Sequence, residues 1–145
     1  YKTDWGEFYR EGGLVLSDRY TTSNAVHQCS KLPPMHWDGF LNWLFDFEYK
    51  KFGIPAPDAV IYLAVDPEIS QKLITERYNG DETKKDIQEK DTDYLARSRA
   101  AAEYCARTLG WHRIECTAQD ANGTKFMRSV EDINAEILAE LQRIL

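Results

Sequence analysis

Long apolar runs are missing from this sequence: no stretch approaches the roughly 18 to 20 consecutive apolar residues that a bilayer-spanning helix needs. No basic-then-apolar leader opens it. Cysteine is scarce. Cys29, Cys105 and Cys116 are odd in number, widely spaced and without a C-x-x-C pair, which argues against a disulfide framework or a zinc site and fits a reducing, cytoplasmic setting. His27, His36 and His112 lack metal-ligand spacing, so no histidine metal site is expected. Positive charge is also short. Lys+Arg 18 against Asp+Glu 24 gives a formal net charge of -6, so the surface repels a polyphosphate backbone and long nucleic acid is not an expected partner. A single nucleotide is different, because a small anion needs only a local cluster of cations and backbone N–H groups. The phosphate-cradling pattern G-x-x-x-x-G-K-[ST] is absent too. Its nearest imitation, Gly80 with Lys84, lacks the second glycine and the hydroxyl after the lysine, and it does not follow a strand.

What is present fits one globular domain: 145 residues, 43% hydrophobic and 29% charged. Tyr1 to Glu11 reads as the tail of a helix whose beginning lies upstream, an expectation strengthened by the lack of an initiator methionine. Leu14, Val15 and Leu16 follow the Gly12, Gly13 breaker and predict a buried strand that ends at Ser17 and Asp18. Thr21 to Lys31 predicts a short helix, stopped by Leu32 and the Pro33, Pro34 pair. From Met35 to Phe52, Trp37, Phe40, Leu41, Leu44 and Phe47 recur near a helical period, with Gly53 as the stop. Trp43, Phe45 and Tyr49 widen that apolar surface beyond one stripe, as a doubly buried helix or a partner face would require.

Ala59 to Val65 (AVIYLAV) is nearly all apolar, as a parallel strand covered on both faces should be. Asp66 as cap, Pro67 at the first helical position and Glu68 at the positive end of the dipole then start a helix to about Tyr78. Residues 79–91 (NGDETKKDIQEKD) are polar and charged, the composition of a surface lid or an idle loop. A helix over Thr92 to Leu109, a strand at His112 to Cys116, a polar loop at Thr117 to Arg128 and a helix capped by Ser129 complete the chain. The alternation of strands and helices indicates an α/β fold with a mainly parallel sheet. Ligands then bind at the carboxyl ends of the strands, where Asp18, Asp66 and the loop after Cys116 are expected.

Asp18, Arg19 and Tyr20 end the first expected strand, and a carboxylate beside a guanidinium there suits a metal-phosphate complex and an anionic acceptor, or merely a local ion pair. The stretch LVLSDRYTTSNAVHQ resembles the acceptor-side motif of the thymidylate kinase family. PDAVIYLAVDPEIS, the charged lid with Asp86 and Glu89, YLARSRAAAEY, the Gly110, Trp111 pair and the closing helix extend the resemblance in order along essentially the whole chain.

The resemblance implies a three-layer fold of the P-loop nucleoside triphosphatase type, with its N-terminal strands missing from this stretch, and a single domain over residues 1–145. It implies magnesium-dependent transfer of a phosphoryl group from ATP to thymidine monophosphate by the complete polypeptide, with this part inactive alone. By similarity Arg19 holds the acceptor phosphate, Asp18 sits near magnesium, Asn24 reads the thymine edge, and Tyr20, Ser23 and Gln28 line the same pocket. His27 stands beside the deoxyribose where many relatives carry tyrosine. The lid has Lys84 and Lys85 where bacterial-type relatives place an arginine, with Arg77, Arg97 or Arg99 as the other cations. The adenine loop falls at Thr117 to Lys125. Family members are homodimers, and the helix Trp37 to Phe52 with the helix after Tyr20 offers a symmetric face. The absent first strand should leave the Leu14 and Ala59 strands to pair directly or to be completed by another chain. Two other functions stand beside this one: another nucleoside or nucleotide kinase of the same fold, and a non-catalytic module that kept the acceptor fold.

Overall fold

A computed structural model describes residues 1–77 and 92–145 of the chain, which divide into two units, Tyr1–Ala56 and Pro57–Leu145. The lid expected over residues 79–91 lies outside the described residues.

The first unit is helical. α1 (Gly6–Arg10) leads into a loop, then α2 (Thr21–Cys29), a 3-10 turn (Pro34–His36), α3 (Trp37–Phe45) and a π-helical extension (Asp46–Lys51). α2 ends at Cys29, short of the expected Lys31: the Ser30 hydroxyl donates back to the His27 carbonyl at 2.9 Å, and Pro33 and Pro34 follow. Ala25 and Cys29, one turn apart, meet the stripe Trp37, Leu41 and Leu44, and all five are buried. The Trp37 indole N–H donates to the carbonyls of Cys29 (2.7 Å) and Leu32 (3.1 Å), satisfying groups at the end of α2. The π segment closes with the Phe52 amide on the Phe47 carbonyl at 2.9 Å and with Gly53 at φ +69°.

The expected strand at Leu14 to Leu16 is not formed. Leu14 and Leu16 are 66% and 89% exposed rather than buried. A strand holds only when its N–H and C=O groups find a neighbouring backbone, and none among the described residues pairs with this stretch. Among the described residues Asp18 and Arg19 therefore stand on an exposed loop instead of a buried strand end.

The second unit carries the α/β character. β1 (Ile61–Ala64) runs parallel to β2 (His112–Glu115), Ile61 opposite His112 and Ala64 opposite Glu115, in a two-stranded sheet. Between them in sequence lie α4 (Pro67–Arg77) and α5 (Thr92–Leu109), and parallel strands need such a crossover. Asp66 caps α4 as predicted, its Oδ1 accepting the Glu68 amide at 2.9 Å. Ala64 is fully buried, whereas Leu63 is 48% exposed, so β1 is not covered on both faces.

The core gathers Ile114, Cys116 and Ile133, with Ile61, Val65, Met127 and Ile137 packed around it. Ile133 and Ile137 come one turn apart from α6 (Val130–Ile144), whose N-cap Ser129 accepts the Asp132 amide at 3.1 Å.

The polar loop expected at Thr117 to Arg128 is instead a hairpin: β3 (Thr117–Gln119) antiparallel to β4 (Lys125–Met127). Its turn is built by Asp120, whose Oδ1 accepts the amides of Asn122 (2.9 Å) and Thr124 (2.8 Å), and by Gly123 at φ +85°. An Asn-Gly pair between short alternating segments is a hairpin signal, and local turn chemistry outweighed the polar composition here.

Candidate functional site

The loop before α2 bends the chain through an unusual conformation at Arg19. Its φ is +68°, the left-handed region, and it is the non-glycine residue with positive φ among the described residues. An L-residue there costs about 1 to 3 kcal/mol, so neighbouring contacts must hold it. The Ser17 hydroxyl donates to the Arg19 carbonyl at 2.7 Å. On the side-chain side, Arg19 Nε donates to Ser23 Oγ at 3.2 Å, and Arg19 Nη2 lies 2.6 Å from His27 Nε2.

Arginine has only donors, so His27 Nε2 accepts and carries no proton. Consistent with that, burial first, then the positive charges of Arg19 and Lys31, hold the His27 pKa below its usual value of 6.5. Arg19, Ser23 and His27 are four residues apart along the chain, the spacing of one helical face.

Asp18 is exposed beside Arg19 and makes neither an ion pair with it nor a hydrogen bond to another described residue. The alternative of a simple local Asp18–Arg19 pair is therefore not what the loop builds. A lone carboxylate of this kind suits magnesium, which takes one or two protein carboxylates and completes its shell with water and substrate phosphates. No group of three or more His, Cys, Asp or Glu side chains gathers as a metal cage among the described residues.

The next helical row carries Asn24 and Gln28. Asn24 Nδ2 donates to Glu48 Oε1 at 3.3 Å, while Gln28 Oε1 accepts from Lys31 Nζ at 3.4 Å, further down the helix. Tyr20 is used structurally: its hydroxyl donates to the Pro55 carbonyl at 2.8 Å, and burial raises its pKa. Sequence reasoning missed Glu48 and Tyr49. The π-helical turn brings Glu48 to Asn24 and sets the Tyr49 hydroxyl 2.6 Å from Thr21 Oγ1. Only the aromatic and acidic content of that segment hinted at it.

Of the other candidates, Arg77 ends α4 and is exposed, Arg97 is exposed on α5, and Arg99 pairs with Glu103 at 3.8 Å. Lys84, Lys85, Asp86 and Glu89 lie outside the described residues. In the expected adenine loop, Lys125 is committed to Asp66, Nζ to Oδ2 at 2.9 Å, a contact that holds the Asp66 carboxyl below its usual range. Lys125 also lines a groove of about 140 Å³, together with Ile69, Lys72, Leu73, Glu76, Phe126 and Met127.

No protein-family model matches this sequence. Two curated thymidylate kinases of Mycobacterium tuberculosis, from strains CDC 1551 / Oshkosh and H37Rv, are each 30% identical to the chain over 100 residues. The likeness, at low identity, is to thymidylate kinases. The match takes in 68% of this chain and 46% of each relative, so the chain spans about half the length of the curated relatives it matches. Among the described residues no helix is long and apolar enough to cross a membrane.

Proposed function

We propose that this chain supplies the acceptor side of a thymidylate kinase, binding thymidine monophosphate through Arg19. The complete polypeptide transfers a phosphoryl group from ATP to that acceptor, in a single-domain, three-layer P-loop fold with residues 79–91 as lid. The observation that carries this reading is the strained Arg19, its guanidinium held on one edge by Ser23 and His27 and open on the other, at the head of a helix bearing Asn24. Backbone strain of this sort concentrates at ligand clamps. The 30% identity to curated thymidylate kinases supports the same reading.

In this proposal Arg19 grips the acceptor phosphate, Asn24 reads the base edge, and Ser23 holds the arginine. Asp18 is the carboxylate that fits magnesium, which neutralises charge on the transferring phosphoryl group when bound. Nothing in the 145 residues matches the glycine-rich cradle for the donor triphosphate, so in this proposal this chain contributes the acceptor side, the lid and the adenine loop at residues 117–125 but not that cradle. The protein acts as a cytoplasmic homodimer, with the aromatic surface of α3 and its π extension as the shared face.

A coupled assay for nucleoside diphosphate formation tests this. The complete polypeptide should phosphorylate thymidine monophosphate with ATP and magnesium, while the 145-residue chain alone gives background rates. Preference for cytidine or uridine monophosphate in competition would move the assignment to another nucleotide kinase, and no turnover of any monophosphate would leave a non-catalytic module.

A further inference from the structure

We propose that His27 is a positioning residue for Arg19 rather than a wall of the sugar pocket: by accepting a hydrogen bond at Nε2 it turns the guanidinium so that its outer edge faces an incoming phosphate. This rests on the acceptor-site reading above and deepens it.

The argument starts from the shape of the guanidinium. It has five N–H donors in a fixed plane, and Nε–H shares an edge with one Nη2–H. Ser23 takes Nε at 3.2 Å and His27 takes Nη2 at 2.6 Å, so this side edge is filled by two residues one turn apart on α2. The Arg19 guanidinium makes no other hydrogen bond or ion pair to the described residues. The end edge, one Nη1–H and the second Nη2–H, is left for two anionic oxygens, the fork arrangement that arginine uses for phosphate. A long side chain on an exposed loop would otherwise sample many rotamers, and ordering it costs affinity when ligand binds. Two acceptors already fixed on a helix lower that cost beforehand.

The choice of residue matters for sign. A second cation on α2 would repel Arg19, whereas a neutral imidazole, with its proton on Nδ1, attracts it. Lys31 also bears on His27, and both it and Arg19 disfavour the imidazolium. Gln28, the neighbour of His27 in sequence, is engaged by Lys31 and does not compete for Arg19.

The test measures affinity for thymidine monophosphate and for thymidine by calorimetry on the complete polypeptide, in the wild type, H27F and H27Q. The ratio of the two affinities isolates the contribution of the phosphate. The expected result is that H27F lowers this ratio about tenfold, in line with loss of one charge-assisted hydrogen bond, with thymidine affinity unchanged. H27Q should restore much of the ratio, since its amide oxygen can accept from Arg19. A ratio that survives H27F, or a loss of thymidine affinity equal to the loss for the monophosphate, would overturn the inference and make His27 a contact to the nucleoside. Failure of the wild type to prefer the monophosphate over thymidine would instead sink the acceptor-site reading itself. Should H27F not fold, nitrogen-15 shifts of the wild-type His27 ring decide: an unprotonated Nε2 at neutral pH is required, and a protonated one contradicts the proposal.

Discussion

Arg19 puts the folding of the loop and its chemistry in opposition. At φ +68° any side chain with a Cβ bears the left-handed penalty, and glycine does not. Arg19→Gly should therefore be more stable than Arg19→Ala by about 1 kcal/mol in denaturant unfolding, because both lose the guanidinium contacts but only alanine keeps the strain. Equal stabilities would mean that the backbone there is relaxed. His27 gives a second residue-scale expectation. Its folded pKa lies below 6.5, so the unfolded chain binds the proton more readily, and stability must fall as pH drops from about 6.5 through the lowered folded value. A urea midpoint followed between pH 7.5 and 5 should decline, and His27→Gln should flatten part of that decline.

At the scale of elements, the helices of the first unit depend on a small core. Leu41 is 3% exposed, and Leu41→Ala should cost about 2 to 5 kcal/mol by cavity formation, read as a lowered unfolding midpoint. In the second unit the end of β1 is tied to β4 through Asp66 and Lys125. The Lys125 hydrogen bond depresses the Asp66 pKa, so this contribution is complete above the ordinary carboxylate range and is lost as pH falls through the depressed value. Asp66→Asn should remove that acid-side slope and leave stability at neutral pH lower than wild type.

Helices were the legible part of this sequence. Ser129 and Asp66 announced helix starts by capping chemistry, and the Trp37, Leu41, Leu44 stripe announced a buried face, because these signals are local and act within one or two turns. Strands were less so. Ala59 to Val65 and Leu14 to Leu16 look alike in composition, yet among the described residues only the first finds a parallel partner, at His112 to Glu115, and pairing is a property of distant segments. In the candidate site, Arg19, Ser23 and His27 stand four residues apart, but the resemblance set His27 beside the sugar, and its contact with Arg19 is a finding of the structure. The contact of Glu48 with Asn24 did not show, since it depends on a π turn that shifts the helical phase.

On the scale of the whole molecule, the proposed function gives the chain a place for an acceptor phosphate; its sequence holds no glycine-rich cradle for a donor triphosphate, and it spans about half the length of its curated relatives. A kinase needs both halves positioned together, since phosphoryl transfer relies on alignment and charge stabilisation rather than on covalent chemistry by the protein. In the proposed function this part binds the acceptor and the complete polypeptide turns it over, with the open edge of the Arg19 guanidinium receiving the phosphate of thymidine monophosphate. Calorimetric titration of the complete polypeptide with that nucleotide, wild type against Arg19→Met, decides whether it does. Affinity should fall by about 10- to 100-fold with the fold intact by circular dichroism; an unchanged dissociation constant would remove Arg19 from the phosphate site.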